Sequence, residues 1–122
     1  TQEEIEVLRR SMELSRTGLE AMEHLHHTII EGKLEQTTTI FKDVFQAYVE
    51  IEQATRAILP QIVGAKLKAL SANLLEAFKL MLAAYEGEEG VRPLEVMEST
   101  LLPRYKSWQE ELETVFIKYT CS

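Results

Sequence analysis

Apolar residues recur three and four positions apart through almost the whole chain, and that spacing leaves it little but α-helix to adopt. In the first stretch it selects Ile5, Leu8, Met12, Ser15, Leu19, Met22, His26 and Ile29, a seam of nearly four heptads with two polar members. Thr1 is the predicted N-cap, with Glu4 three residues on to complete a capping box. Glu3, Glu4 and Glu6 put negative charge at the positive end of the helix dipole. Gly32 is placed where the chain must turn left-handed to leave the helix.

The second stretch repeats the spacing through Phe41, Val44, Tyr48, Ile51, Thr55 and Ile58, with Phe45 widening the stripe. The β-branched run Thr37-Thr38-Thr39 is a poor helix interior, so the start is blurred by about a turn. Leu59-Pro60 marks a break, because proline disfavours helical geometry in the residue before it. It is read as a tight corner between two helices, with one kinked helix as the alternative.

The third stretch carries two adjoining apolar stripes. One is Val63, Leu67, Leu70, Leu74, Ala77 and Met81; the other is Leu75, Phe78, Leu82 and Tyr85. Gly87 ends it, and Pro93 opens a fourth through Leu94, Met97, Leu101, Tyr105, Trp108, Leu112, Val115 and Tyr119. Pro103 lies inside the fourth helix, removes one backbone hydrogen bond and predicts a kink.

These spans, 2–31, 35–58, 60–86 and 93–119, predict a single all-α domain over 1–122, an up-down-up-down four-helix bundle of rods each about 37 Å long. Nothing reads as a strand, and five glycines and three prolines in 122 residues are too few for a many-turned β fold. Leu19-Glu20-Ala21 recurs as Leu75-Glu76-Ala77, and Glu31-Gly32 as Glu86-Gly87. Phe45 and Tyr48 match Tyr105 and Trp108 in spacing. Two similar helical hairpins about an approximate two-fold axis would account for this; so would the residue preferences that all amphipathic helices share.

The net charge of −7 speaks against nucleic-acid partners, which require a basic face. The most apolar stretch, Leu74 to Tyr85, is broken by Glu76 and Lys79, so no membrane association is expected. No secretory leader is visible, and the lone Cys121 cannot form an internal disulfide, so a cytoplasmic location is expected.

Chemistry-bearing groups are sparse. His24 and His27 stand with Glu20 and Glu31 at spacings of four, three and four, one row along a helix whose neighbours suit a divalent first-row metal such as zinc. A straight helix cannot wrap four ligands around an ion, so another helix or subunit would have to complete the shell. The competing reading is a solvated face with Glu–His pairs. Glu23 and His26 supply one E-x-x-H unit, but no histidine follows His27, which excludes the paired motif of di-iron bundles. His26 is expected instead to be a partly buried seam residue with a hydrogen-bond partner.

No nucleophile elbow and no phosphate-binding glycine loop occur, so neither an enzyme nor a cofactor is expected. Tyr105, Trp108 and Tyr119 have two readings, core packing or the lining of an apolar pocket. Residues Thr1 to Glu31 hold seven acidic against three basic side chains, and Glu86 to Glu113 hold eight against three. The third helix has Lys66, Lys68 and Lys79 against Glu76 alone. Its second stripe, Leu75, Phe78, Leu82 and Tyr85, exceeds what one bundle helix needs for its own core. Either this is the most buried helix, or the stripe is an interaction surface. The expected function is therefore protein–protein contact or self-association, with a homodimer the commonest form, and metal binding on the His24/His27 face as the alternative.

Overall fold

The computed structural model describes residues 2–58 and 64–120. Thr1, the Leu59-Pro60 corner, Val63 and Cys121 lie outside these, so the predicted capping box, corner and tail thiol fall outside the described residues.

The described residues are helical almost throughout, with no strand among them. α1 is Gln2–Ile30, a 3-10 turn covers Leu34–Thr37, α2 is Thr38–Ile58 and α3 is Ala65–Tyr85. The fourth rod is built from α4 (Pro93–Val96), a π-helical turn (Met97–Leu101) and α5 (Leu102–Thr120) in unbroken succession. The β-branched run thus resolves as a 3-10 turn ending at Thr37, whose hydroxyl donates to Leu34 O (2.6 Å) and satisfies one carbonyl there.

Cross-links fix the direction of each rod. His26 meets Glu98 of the π-helical turn at one end, and Arg9 donates to Thr120 O at the other, so α1 and the fourth rod run antiparallel. Between α3 and α5, Lys66 pairs with Glu111 and Arg104 donates to Asn73 O, again antiparallel. Phe41 against Tyr85 and Tyr48 against Ser71 give the same sense for α2 and α3. The result is the up-down-up-down bundle.

Both hairpins leave their first helix through the same glycine device. Gly32 and Gly87 adopt φ of 82° and 79°, a left-handed conformation that costs other residues. Lys33 N–H bonds Thr28 O and Glu88 N–H bonds Ala83 O, satisfying carbonyls that the helix end would orphan. The hairpins also share a buried tyrosine–serine contact across the bundle: Tyr105 O–H donates to Ser15 O (2.8 Å) and Tyr48 O–H to Ser71 O (2.9 Å).

Pro103 acts through the π-helical turn that ends just before it. Leu102 N–H reaches back five residues to Met97 O. The wider turn gives room for a ring that would otherwise press on the carbonyl four residues earlier.

The core holds the predicted seams: Leu8, Met12, Ser15, Met22 and Ile29; Phe41, Val44, Tyr48, Ile51 and Thr55; Leu67, Leu74, Ala77 and Met81. In the fourth rod Met97, Leu101, Tyr105, Trp108 and Leu112 are buried as expected, but the seam then continues through Phe116 and Thr120 rather than Val115 and Tyr119. A helix of 3.6 residues per turn drifts from a strict 3.5 repeat, and over this length the drift moves the buried stripe by one position. Leu94 is exposed for a related reason: Val96 and Met97 take the core side at the start of the rod.

Candidate functional site

Three seams of the bundle are closed and one is open. α1 lies directly against α2 and α5, and α3 against α5, whereas the α2 and α3 backbones stay apart. Two residue choices explain the difference. On the α1–α5 side, Gly18 follows Ser15 by one turn, and without a Cβ it lets the Tyr105 ring come down onto the helix. At the same place after Ser71 stands Leu74, a buried residue whose side chain is far larger than the hydrogen of Gly18.

Large rings fill the α2–α3 gap at one end. Phe45 stacks on Phe78 with centroids 4.6 Å apart and planes within 5°. Phe41 meets Tyr85 at 5.0 Å, and Tyr48 meets Phe78 at 5.2 Å. Towards the other end the facing residues shrink to Thr55, Ser71 and Ala72, and the gap opens into a groove of about 580 Å³. Tyr48, Glu52, Thr55 and Arg56 line it from α2; Leu67, Lys68, Ser71, Ala72 and Leu75 line it from α3.

Each polar group in the floor is committed. Tyr48 O–H donates to Ser71 O, and the Tyr48 oxygen lies 2.7 Å from Ser71 Oγ, which can donate back. Burial raises the Tyr48 pKa above its ordinary value; the Ser71 hydrogen bond opposes this and the nearby Glu52 charge adds to it. The phenol therefore stays neutral at physiological pH. Glu52 accepts from Trp108 Nε1 at 3.4 Å, which ties its carboxylate towards the fourth rod. At the rim Arg56 and Lys68 are exposed, and among the described residues neither is held in an ion pair. Among the described residues the groove thus has an apolar floor, spent hydroxyls, an anchored carboxylate and two cations outside any ion pair, one on each bank.

Of the stripe predicted as an interaction surface, only Leu75 lines this groove. Phe78 is corrected to a core residue: it is fully buried, clasped by Phe41, Phe45 and Tyr48, because the wide gap needs its ring as filler. Leu82 and Tyr85 are half-buried, and Tyr85 closes the loop end by bonding Thr37 Oγ1 at 2.7 Å. Tyr105 and Trp108 are likewise core, packed edge to face at 5.3 Å, and Tyr119 is half-buried.

The histidine row stays on the surface. Glu20, His24, His27 and Glu31 are all exposed. Glu31 spreads its carboxylate between His27 (3.3 Å) and Lys33 (3.3 Å). His24 and Glu31 share a shallow hollow with Thr28, Lys33, Gln36 and Ile40, in which Glu20 and His27 take no part. No three His, Cys, Asp or Glu side chains among the described residues are grouped to hold a metal. Beside His24 and Glu31 stand Gln36 of the 3-10 turn and Ile40 of α2, neither a usual metal ligand. His26 is half-buried with its Nε2 2.9 Å from Glu98 Oε2, the partnered seam histidine expected.

The groove was invisible in the sequence apart from Leu75. Its signal is a run of small side chains, Thr55, Ser71 and Ala72, at facing positions on two helices, and only the pairing of those helices brings them together.

No helix among the described residues is long and apolar enough to cross a membrane. Neither a curated protein nor a solved structure matches the chain. A family model described as a domain of unknown function (DUF8042) matches residues 6–111, from the first turns of α1 into α5, and so takes in the groove and all four rods. The chain belongs to the DUF8042 family.

Proposed function

We propose that this protein is a non-catalytic binding module that acts by protein–protein contact, and that the α2–α3 groove is its contact surface. One observation carries the reading: among the described residues the bundle leaves one seam unfilled and lines it with apolar surface between two cations that make no ion pair there. A bundle that served only its own stability would bring α2 and α3 together or fill the space, since interiors pack close to crystal density. The floor offers no activated group. The Tyr48 and Ser71 hydroxyls bond each other, the Thr55 hydroxyl donates to Ile51 O, and the Glu52 carboxylate accepts from an indole. Such a site binds and has no evident means of bond-breaking chemistry.

The test is a photo-crosslinking amino acid at Ala72, an exposed position on the groove wall, in cells that make the protein. A discrete adduct with another polypeptide, or with a second copy of the chain, is expected. The control position is Lys106, exposed on α5 and away from the groove. No adduct from position 72, or the same adducts from both positions, refutes the assignment.

A further inference from the structure

We infer that the groove takes an amphipathic α-helix of a partner protein, with carboxylates flanking its apolar stripe. The inference rests on the contact reading above and adds the conformation and charge of the partner.

Conformation follows from the banks. Both are α-helices whose backbone N–H and C=O groups are used within the helix, so a partner cannot join by strand addition. A segment entering an apolar floor must satisfy its own backbone groups, and among regular conformations a helix does so unaided. The banks also have the right relief. Tyr48, Glu52 and Arg56 form one ridge on α2, and Leu67, Ser71 and Leu75 form one on α3, each with a spacing of four. Ridges of that kind receive the matching ridges of a third helix. The groove runs two turns, about 12 Å, which seats an i, i+4, i+7 set of aliphatic side chains. Thr55, Ser71 and Ala72 are small enough to leave those side chains room.

Charge follows from the rim. Arg56 on one bank and Lys68 on the other have no carboxylate partner among the described residues, in a chain whose net charge is −7. The surplus acidic groups elsewhere favour a basic partner only at long range. At physiological ionic strength they are screened over about 8 Å, so the groups in contact decide. Among the described residues Glu52 is the one carboxylate of the lining, and its bond to Trp108 Nε1 draws it inward. It disfavours an anion directly above it, so the partner's carboxylates register with Arg56 and Lys68 instead.

The experiment uses the full chain and fluorescein-labelled peptides of about four turns. Two share one leucine stripe, flanked by glutamates in one and lysines in the other; a third carries the glutamate composition interrupted by prolines. Anisotropy is expected to rank the glutamate-flanked helix tightest. Joint replacement Arg56→Glu and Lys68→Glu is expected to weaken it roughly tenfold or more and to transfer the preference to the lysine-flanked helix. Both replaced residues are exposed, so the fold is retained, and circular dichroism checks that. Equal binding of the two charged peptides, or tight binding of the proline-interrupted one, overturns the inference. Ala72→Glu separates the two levels. If it abolishes binding that showed no charge preference, the groove stands and the charge assignment falls; if it changes nothing, the groove itself falls. Binding of decanoate in place of every peptide, lost in Ala72→Glu, would reassign the groove to a small aliphatic anion and overturn the helical partner.

Discussion

Replacing Gly18 by alanine sets two effects of opposite sign against each other. In an exposed helix interior, Gly→Ala stabilises by about 0.5–1 kcal/mol, because glycine loses more backbone freedom on folding. Here an added Cβ would lie 2.1 Å from the Tyr105 hydroxyl oxygen and 3.1 Å from its ring carbon Cζ. The tyrosine is 2% exposed and packs edge to face against Trp108, so its ring is confined by the core. Overpacking of this kind costs roughly 1–3 kcal/mol. Pushing the phenol away also breaks its 2.8 Å bond to Ser15 O, worth about 1 kcal/mol. The costs exceed the gain, so Gly18→Ala is expected to destabilise by roughly 1–3 kcal/mol. Tyr105→Phe removes the oxygen that the methyl would strike, and leaves the 3.1 Å contact, which a shift of a few tenths of an ångström relieves. In that background Gly18→Ala is expected to fall within about 1 kcal/mol of neutral, giving a coupling of about 2 kcal/mol in the double-mutant cycle. Urea unfolding followed by far-ultraviolet circular dichroism measures all four proteins, with unchanged m-values confirming that stability alone is compared. A midpoint raised by Gly18→Ala alone would show that the close approach of α1 and α5 does not depend on the missing Cβ. The explanation of the closed and open seams would then fail.

Two further outcomes follow from the same packing. Phe78→Ala removes a fully buried ring from the aromatic layer and is expected to cost about 3–5 kcal/mol, with no change in subunit number by native mass spectrometry; a stable, folded variant with altered assembly would restore Phe78 to the surface role. Burial raises the pKa of Tyr48, Tyr85 and Tyr105, Tyr105 most strongly. Their contribution to stability is complete below the unfolded tyrosine pKa of about 10 and is lost as pH rises from there through the folded values. Tyrosinate absorbance from these three should therefore appear together with loss of helix on alkaline titration; early, reversible ionisation of all of them with the fold intact would contradict their burial.

The histidine row shows how a regular spacing lines up candidate ligands on one face without bringing them together. Glu20, His24, His27 and Glu31 lie along one helix face as the 3.6-residue period requires, but coordination needs groups converging from different directions. The α1–α2 loop brings Lys33 to Glu31, and among the described residues no three candidate ligands are grouped around an ion. The stripe on α3 failed differently. Leu75, Phe78, Leu82 and Tyr85 exceeded what a bundle helix ordinarily buries, and the excess was real. It is used internally, because α2 and α3 stand far enough apart to need Phe78 and Phe45 between them.

Local rules were therefore enough for most of what depends on one helix at a time, the drifting ends of the fourth seam excepted. Periodicity placed the seams, and Gly32, Gly87 and Pro93 marked the turns, because each acts through the conformation of its own few residues. The chain alone also showed that Ser15 and His26 would be polar members of a buried stripe. Distances between helices were beyond those rules. Whether Gly18 admits Tyr105, and whether Thr55, Ser71 and Ala72 face a common space, depend on which helices become neighbours and at what separation. Those are properties of side-chain volumes meeting across the bundle, and they exist only once the rods have packed.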